Sequence, residues 1–283
     1  DHIQLRGREG LTQVWQAVAH DAATVARRWQ SDVPFVGRAT ELGMLGNIVN
    51  LSLAGRSAIV AVTGEAGIGK SRLVHEALGP LVAQHPSTLL LEGACAPYGE
   101  SNVWWPIAGG LLARLGLDRN DSADASRRRA IRRLGAFEEL APGTPDFDRS
   151  VEVTMHLLGH PSVFDTLGPA ATRDAVFDGI AKVLRRRAAR SPVVLWIDDL
   201  QWAAPLLLEL LEGIARQLAE LPVLVVTTYR RTDDGLSDWP GPVDEALTLH
   251  LPLSALAPAD ARDLAVTAAG RVLPEATLDT IAA

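Results

Sequence analysis

Residues Gly64-Glu65-Ala66-Gly67-Ile68-Gly69-Lys70-Ser71 match the pattern G-x-x-x-x-G-K-[ST] in full. No other run in the chain restricts the fold so tightly. Its glycines let the backbone wrap close around phosphate oxygens, with successive N–H groups pointing inward as an anion nest. The pattern works where a buried strand ends and a helix begins, because the helix then aims the positive end of its dipole at the same charge. The flanks meet that demand. Ser57 to Thr63 (SAIVAVT) is a short apolar run, as expected of a parallel strand covered on both faces. A helix is expected from near Gly69 through Leu73, Val74 and Ala77, ending at Gly79-Pro80. Lys70 then supplies a mobile cation to the β- and γ-phosphates, and the Ser71 hydroxyl coordinates Mg2+. The candidate nucleotide contacts run from Gly64 through Arg72.

The rest of the chain alternates in kind. Strands are expected at Thr88–Glu92, Val193–Ile197, Pro222–Thr228 and Leu247–Leu251, all bounded by turn residues. Helices are expected from Thr40 as N-cap, over residues 103–117, from Thr172 to Arg190, from about Pro205 to Leu218, and from Pro258 to Ala269. Residues 118–150 are charged and broken by Gly and Pro, and resist assignment, while 232–245 read as a polar loop. Continuously apolar strands alternating with helices define an α/β domain with a covered parallel sheet, a P-loop NTPase core. The expected organisation is a core over 35–251, followed by the start of a helical lid over 252–283. Residues 1–19 read as the end of a preceding unit, with strand-like mixing from Leu11 to Val18, and 20–34 as a short helical linker. No repeat of 20–50 residues is present.

A second constellation follows the Val193 run. Asp198 and Asp199 stand at the C-terminal end of a strand, the edge where open α/β sheets bind ligands. One carboxylate is needed to hold Mg2+ and a second can orient or deprotonate the attacking water. Asp198 is assigned to the metal and Asp199 to the water; the plainer alternative has Asp199 capping the next turn. The run Val225 to Arg230 ends a further buried strand in hydroxyls and an arginine. Arg230 is expected to touch the γ-phosphate and report its presence. The alternative is an ordinary surface arginine.

Composition excludes several classes. A net charge of -7 argues against nucleic-acid binding by the chain as a whole, which needs concentrated positive charge. Cys95 is the sole cysteine, so no intrachain disulfide forms, and a reducing, cytoplasmic setting is expected. No apolar run approaches the roughly 18–20 residues that span a bilayer, and residues 1–6 do not read as a signal peptide. The absence of an initiator Met suggests a piece of a longer protein. The arginines at 127–129, 132 and 133 are expected on a solvated helix face, and Arg185, Arg186, Arg187 and Arg190 near a helix C-terminus. His156 and His160 lack a third ligand, and Cys95 reads as a buried inert thiol. Trp104, Trp105 and Trp202 are expected to pack rather than stack on a ligand.

Taken together, Phe35-Val36-Gly37-Arg38 with Glu41-Leu42, GEAGIGKSRL (Gly64 to Leu73), LWIDDLQWA (Leu195 to Ala203) and Thr227 to Arg230 resemble the signal-transduction ATPases with numerous domains. The ATPase modules of large LuxR-type regulators and of multidomain adenylate cyclases look most similar. The resemblance covers roughly 34–283. It implies that the Arg230 strand lies between the Gly64 and Asp198 strands, and that Val36, Gly37 and Arg38 lie near the adenine. It also implies a slow Mg-ATPase acting as a regulatory switch. The family often carries an acidic residue where this chain has Ala204. Residues 4–18 resemble the last strands of a class III nucleotidyl cyclase domain.

The expected partners are ATP or ADP and neighbouring domains of the parent chain, with nucleotide-dependent self-association as a further mode. No membrane or direct nucleic-acid partner is expected. An ATP-binding scaffold without turnover and a ring-forming motor are the alternatives. A GTPase lacks support, because no Asn-Lys-x-Asp type segment is present to read guanine.

Overall fold

Every residue from Ala58 to Thr63 is buried, and so is every residue from Val223 to Tyr229. Strands buried on both faces belong at the centre of a sheet covered by helices, and that is where they lie. The computed structural model describes residues 2–4, 11–13, 33–97, 103–117, 120–137, 140–230, 239–241 and 247–282. The chain divides into two units, residues 1–34 and 35–283.

In the first unit β1 (His2–Gln4) pairs antiparallel with β2 (Leu11–Gln13). The strand expected over Leu11 to Val18 is described only as far as Gln13, and most of the expected linker, residues 20–32, lies outside the described residues.

The second unit runs α1 (Ala39–Leu53), β3 (Ala58–Thr63), α2 (Lys70–Gln84), β4 (Leu89–Ala94), α3 (Trp105–Leu115), α4 (Ala123–Leu134), α5 (Pro145–Leu157), α6 (Pro169–Ala188), β5 (Val193–Asp198), α7 (Pro205–Gln217), β6 (Val223–Tyr229), β7 (Leu247–Pro252), α8 (Pro258–Ala269) and α9 (Glu275–Ala282). Two short 3-10 turns, Val163–Thr166 and Leu200–Trp202, interrupt this series. The five strands order as β4-β5-β6-β3-β7, all parallel. The expected α/β class with a covered parallel sheet is therefore the observed one. As the resemblance implied, β6 lies between β3 and β5. Edge strand β7 is only partly covered. The expected loop over 232–245 is described only at 239–241.

The core spans both sheet faces. Leu195, Ile197, Leu207, Leu210, Ile214 and Val225 form part of one large buried cluster. A satellite cluster of Leu115, Leu134, Phe147, Val151 and Met155 joins α3, α4 and α5. At Gly93 in β4, a Cβ would stand 1.6 Å from the Pro106 carbonyl oxygen. Only glycine allows α3 to approach β4 that closely.

Several expectations need correction. Helix α1 starts at Ala39 with Arg38 at the N-cap position, so Thr40 lies inside the first turn instead of capping it. Gly37 and Arg38 both have positive φ (69° and 61°), which turns the chain into the helix without a side-chain cap. Helix α2 does not stop at Gly79-Pro80 but continues to Gln84. Pro80 faces solvent, whereas Leu78 and Leu81 extend the buried stripe of Leu73, Val74 and Ala77; packing of that stripe outweighs the backbone bond that proline removes. The unassigned stretch 118–150 holds α4 and the start of α5. Their N-caps are Ser122 and Thr144, whose hydroxyls accept from the N–H groups of Ala125 and Phe147.

Arg128, Arg132 and Arg133 are exposed on α4, and Arg185, Arg186 and Arg187 occupy the last turn of α6, as expected, but several arginines of the two runs also have partners. Arg127 pairs with Glu152, Arg129 with Asp121, and Arg186 with Asp146, while Arg185 donates to the Gln217 carbonyl at 2.7 Å. Trp104 is buried and packs edge-on against Phe177. Trp202 departs from the packing role expected of it: it is 51% exposed. The 3-10 turn drives Leu200 fully into the core and thereby turns Trp202 outward. Among the described residues no helix is long and apolar enough to cross a membrane.

Candidate functional site

Strands β3, β5 and β6 end at the same edge of the sheet, and each delivers part of one constellation. Beyond β3 the loop 64–69 stays open to solvent at Glu65, Ala66, Gly67 and Gly69. Gly67 and Gly69 take φ of 73° and 97°, with nothing within 4 Å of where a Cβ would stand. Glycine takes such positive φ without strain, and backbone of this kind is what anion nests are built from. Helix α2 starts immediately after, at Lys70, so its N-terminal dipole faces the same space.

Lys70 is 8% exposed and folds back along the loop, donating to the carbonyls of Gly64 at 2.9 Å and Glu65 at 2.8 Å. Burial lowers its pKa from the ordinary lysine value, and the positive charge of Arg230 lowers it further. Asp198, Asp199 and Glu65 oppose that shift. All four charges therefore act on one ammonium group. Arg72 turns away from the loop to pair with Glu76 at 2.6 Å along α2.

Asp198 closes β5. Its two carboxylate oxygens each lie 3.0 Å from the Ser71 hydroxyl, and one also accepts from the Thr228 hydroxyl. Serine hydroxyl and carboxylate are hard oxygen donors of the kind Mg2+ takes. Among the described residues no group of three or more His, Cys, Asp or Glu is placed to hold a metal. Mg2+ is bound through one or two protein oxygens together with substrate phosphates and water. His160 lies 3.0 Å from the Ser126 hydroxyl and His156 3.4 Å from that of Ser162.

Asp199 follows at φ 55°, in the left-handed region. Its carboxylate accepts from the Gln201 side chain at 3.0 Å. The exposed Arg230 follows β6, and its backbone N–H donates to the same Gln201 side chain at 3.2 Å. Two groups here were not singled out in the sequence: Thr228, visible only as one of two hydroxyls ending β6, and Gln201, a long amide two positions past the acidic pair. Cys95 lies close by, its N–H donating to the Asp198 carbonyl at 2.9 Å. Burial, with Asp199 and Asp198 adding to it, pushes the Cys95 thiol up to about 12.

Val36, Gly37 and Arg38 stand on the other side of the loop. The Arg38 guanidinium donates to the Ile68 carbonyl at 3.5 Å, to the Ser254 carbonyl, and to Glu41 at 3.0 Å. A Cβ on Gly37 would meet Asp260 of α8 at 2.7 Å. Residues 36–38 thus sit between the phosphate-type loop and the first turn of α8.

Residues 34–226 match the profile of the AAA ATPase domain, and the chain belongs to that family. Nucleotide binding follows from that membership. An uncharacterized protein of Rhizobium meliloti (strain 1021) is 29% identical over 232 residues, covering 80% of this chain and 22% of that protein. Among solved structures, Cdc6p of Pyrobaculum aerophilum superposes with a TM-score of 0.52 at 14% identity, over 90% of this chain and 55% of that one. This likeness supports the fold alone. A signal-transduction ATPase with numerous domains from Pyrococcus horikoshii, which carries a tetratricopeptide repeat sensor, gives a TM-score of 0.43 at 19% identity, over 89% of this chain and 28% of that one. The chain spans only 22% and 28% of the length of these two longer proteins.

Proposed function

We propose that this chain binds Mg-ATP, hydrolyses it slowly, and uses the nucleotide state as a switch for neighbouring domains of a larger signalling or transcription-regulating protein. The observation that carries the reading is the convergence of Lys70, Ser71, Asp198, Asp199 and Arg230 at one edge of the sheet, beside an open glycine loop.

The roles follow from charge and reach. The loop N–H groups and Lys70 hold the β- and γ-phosphates. Ser71 and Asp198 hold Mg2+, which when bound neutralises charge on the phosphate oxygens. Asp199 orients the water for in-line attack on the γ-phosphate. Arg230 contacts the γ-phosphate and so distinguishes ATP from ADP. Val36, Gly37 and Arg38 flank the adenine. Their ties to Ser254 and to α8 give nucleotide occupancy a route to the C-terminal helices, the kind of differential contact a switch requires. The motif set shared with the ATPases with numerous domains supports output through other domains of a longer chain, with nucleotide-dependent self-association as a further mode.

Calorimetry on the protein and on Lys70→Ala, with Mg-ATP and with Mg-GTP, tests the reading, followed by phosphate release in a single turnover. Binding selective for ATP and abolished in the variant, with measurable phosphate release, is expected. A folded protein that binds neither nucleotide would overturn it.

A further inference from the structure

Gln201 joins the two groups on which the proposed hydrolysis depends. It lies in the 3-10 turn Leu200–Trp202, between β5 and α7. Its Nε2–H donates to the Asp199 carboxylate at 3.0 Å, and its Oε1 accepts from the Arg230 backbone N–H at 3.2 Å. A carboxylate accepts and a backbone N–H donates, so both neighbours dictate the same orientation of the amide. Holding a side chain with three rotatable bonds in one conformation costs entropy, which two well-made hydrogen bonds offset.

Asp199 gives the second reason. It is one of two described residues other than glycine with positive φ, at 55°. Such a backbone persists where the surroundings hold it, and it tends to occur where a side chain must be aimed. Asp198 has Ser71 and Thr228 as partners. For the Asp199 carboxylate, Gln201 supplies the hydrogen bond.

We propose that Gln201 is a positioning residue. It sets the Asp199 carboxylate in register with the end of β6, so that the chain at Arg230 and the water-orienting group move as one. Engagement of a γ-phosphate by Arg230 then carries Asp199 into place, and its loss releases both. The inference rests on the reading of Asp199 as the group that orients water.

The test measures single-turnover ATP hydrolysis and Mg-ATP affinity for the wild type, Gln201→Ala, Gln201→His, Asp199→Asn and the Gln201→Ala/Asp199→Asn double variant. Gln201→Ala is expected to lower the hydrolysis rate by about tenfold or more while Mg-ATP affinity stays within about threefold. Neutral histidine offers one donor and one acceptor, so Gln201→His should recover much of the rate. In the double variant the glutamine change should cost nothing beyond Asp199→Asn, because it acts through that carboxylate. A normal rate in Gln201→Ala, or a full additional loss in the double variant, overturns the inference. An inactive Asp199→Asn beside a normal Gln201→Ala rejects the inference about Gln201 alone. An Asp199→Asn protein as fast as wild type rejects the water-orienting reading, and the inference with it. Should Gln201→Ala lose its circular dichroism signature, the rate of Gln201→His decides: a value near wild type supports the exchange of donor and acceptor, and one as low as Asp199→Asn rejects it.

Discussion

The Ser71 hydroxyl lies 3.0 Å from both carboxylate oxygens of Asp198, bringing together residues 127 positions apart in sequence. Helix α2 and strand β5 thus assemble two hard oxygen donors in direct contact. Removing one charge from that pair should act on the metal more than on the nucleotide. Asp198→Asn is expected to lose most of the gain in ATP affinity that Mg2+ gives, roughly tenfold, while Mg2+-free binding stays close to wild type. Titrations in Mg2+ and in EDTA measure the difference.

Arg38 makes three contacts from one guanidinium, to Glu41, Ile68 and Ser254. Arg38→Ala should weaken ATP binding by roughly three- to tenfold and raise the rate of limited proteolysis beyond residue 253. Arg38→Lys should not restore either property, since an ammonium cannot span the fork. Peptide mapping with and without ATP reads the second effect.

Gly93 meets the Pro106 carbonyl more closely than any Cβ could tolerate. Gly93→Ala must displace backbone on α3, and a loss of about 3 kcal/mol or more in unfolding free energy is expected. Urea denaturation provides the measurement. Gly109→Ala, where nothing lies within 4 Å of the added carbon, is the matched control and should be neutral or slightly stabilising.

Burial raises the pKa of Glu92 on β4 above its ordinary value of 4.5. The folded protein then holds this proton more tightly than the unfolded chain. The contribution of Glu92 to stability is present below about pH 4.5 and is lost as pH rises through the raised folded value. Glu92→Gln removes the ionisation. It should raise the melting temperature by a few degrees at pH 7.5 and make little difference near pH 4.

Cys95 is buried, with its thiol pushed up to about 12. It should resist thiol reagents at pH 8 in the folded protein and react fully in denaturant.

The five-stranded sheet was legible because four of its strands are covered on both faces or nearly so, which writes them as short apolar runs. The loop 64–71 and the pair Asp198-Asp199 were legible for the same reason: each follows directly on such a run. The hidden parts depend on partners distant in sequence. Helices α4 and α5 look like polar linker because Arg127 and Arg129 are answered by Glu152 and Asp121 across a helix pair and a turn. Helix α2 passes Pro80 because Leu78 and Leu81 are buried, a fact of packing and not of local preference. Trp202 faces outward because Leu200 takes the inward position. Gln201 carries no signal at all until β5 and β6 are neighbours.

The bonds from Arg38 to the Ile68 and Ser254 carbonyls have a mechanical consequence. Tension applied to the chain beyond Ser254 reaches the backbone of the glycine loop by two routes, through the Arg38 guanidinium and through the Leu253 N–H that donates to the Thr63 carbonyl at the end of β3. A partner that pulls on the C-terminal helices therefore pulls on the phosphate cradle, and a cradle stiffened by its ligand resists the pull.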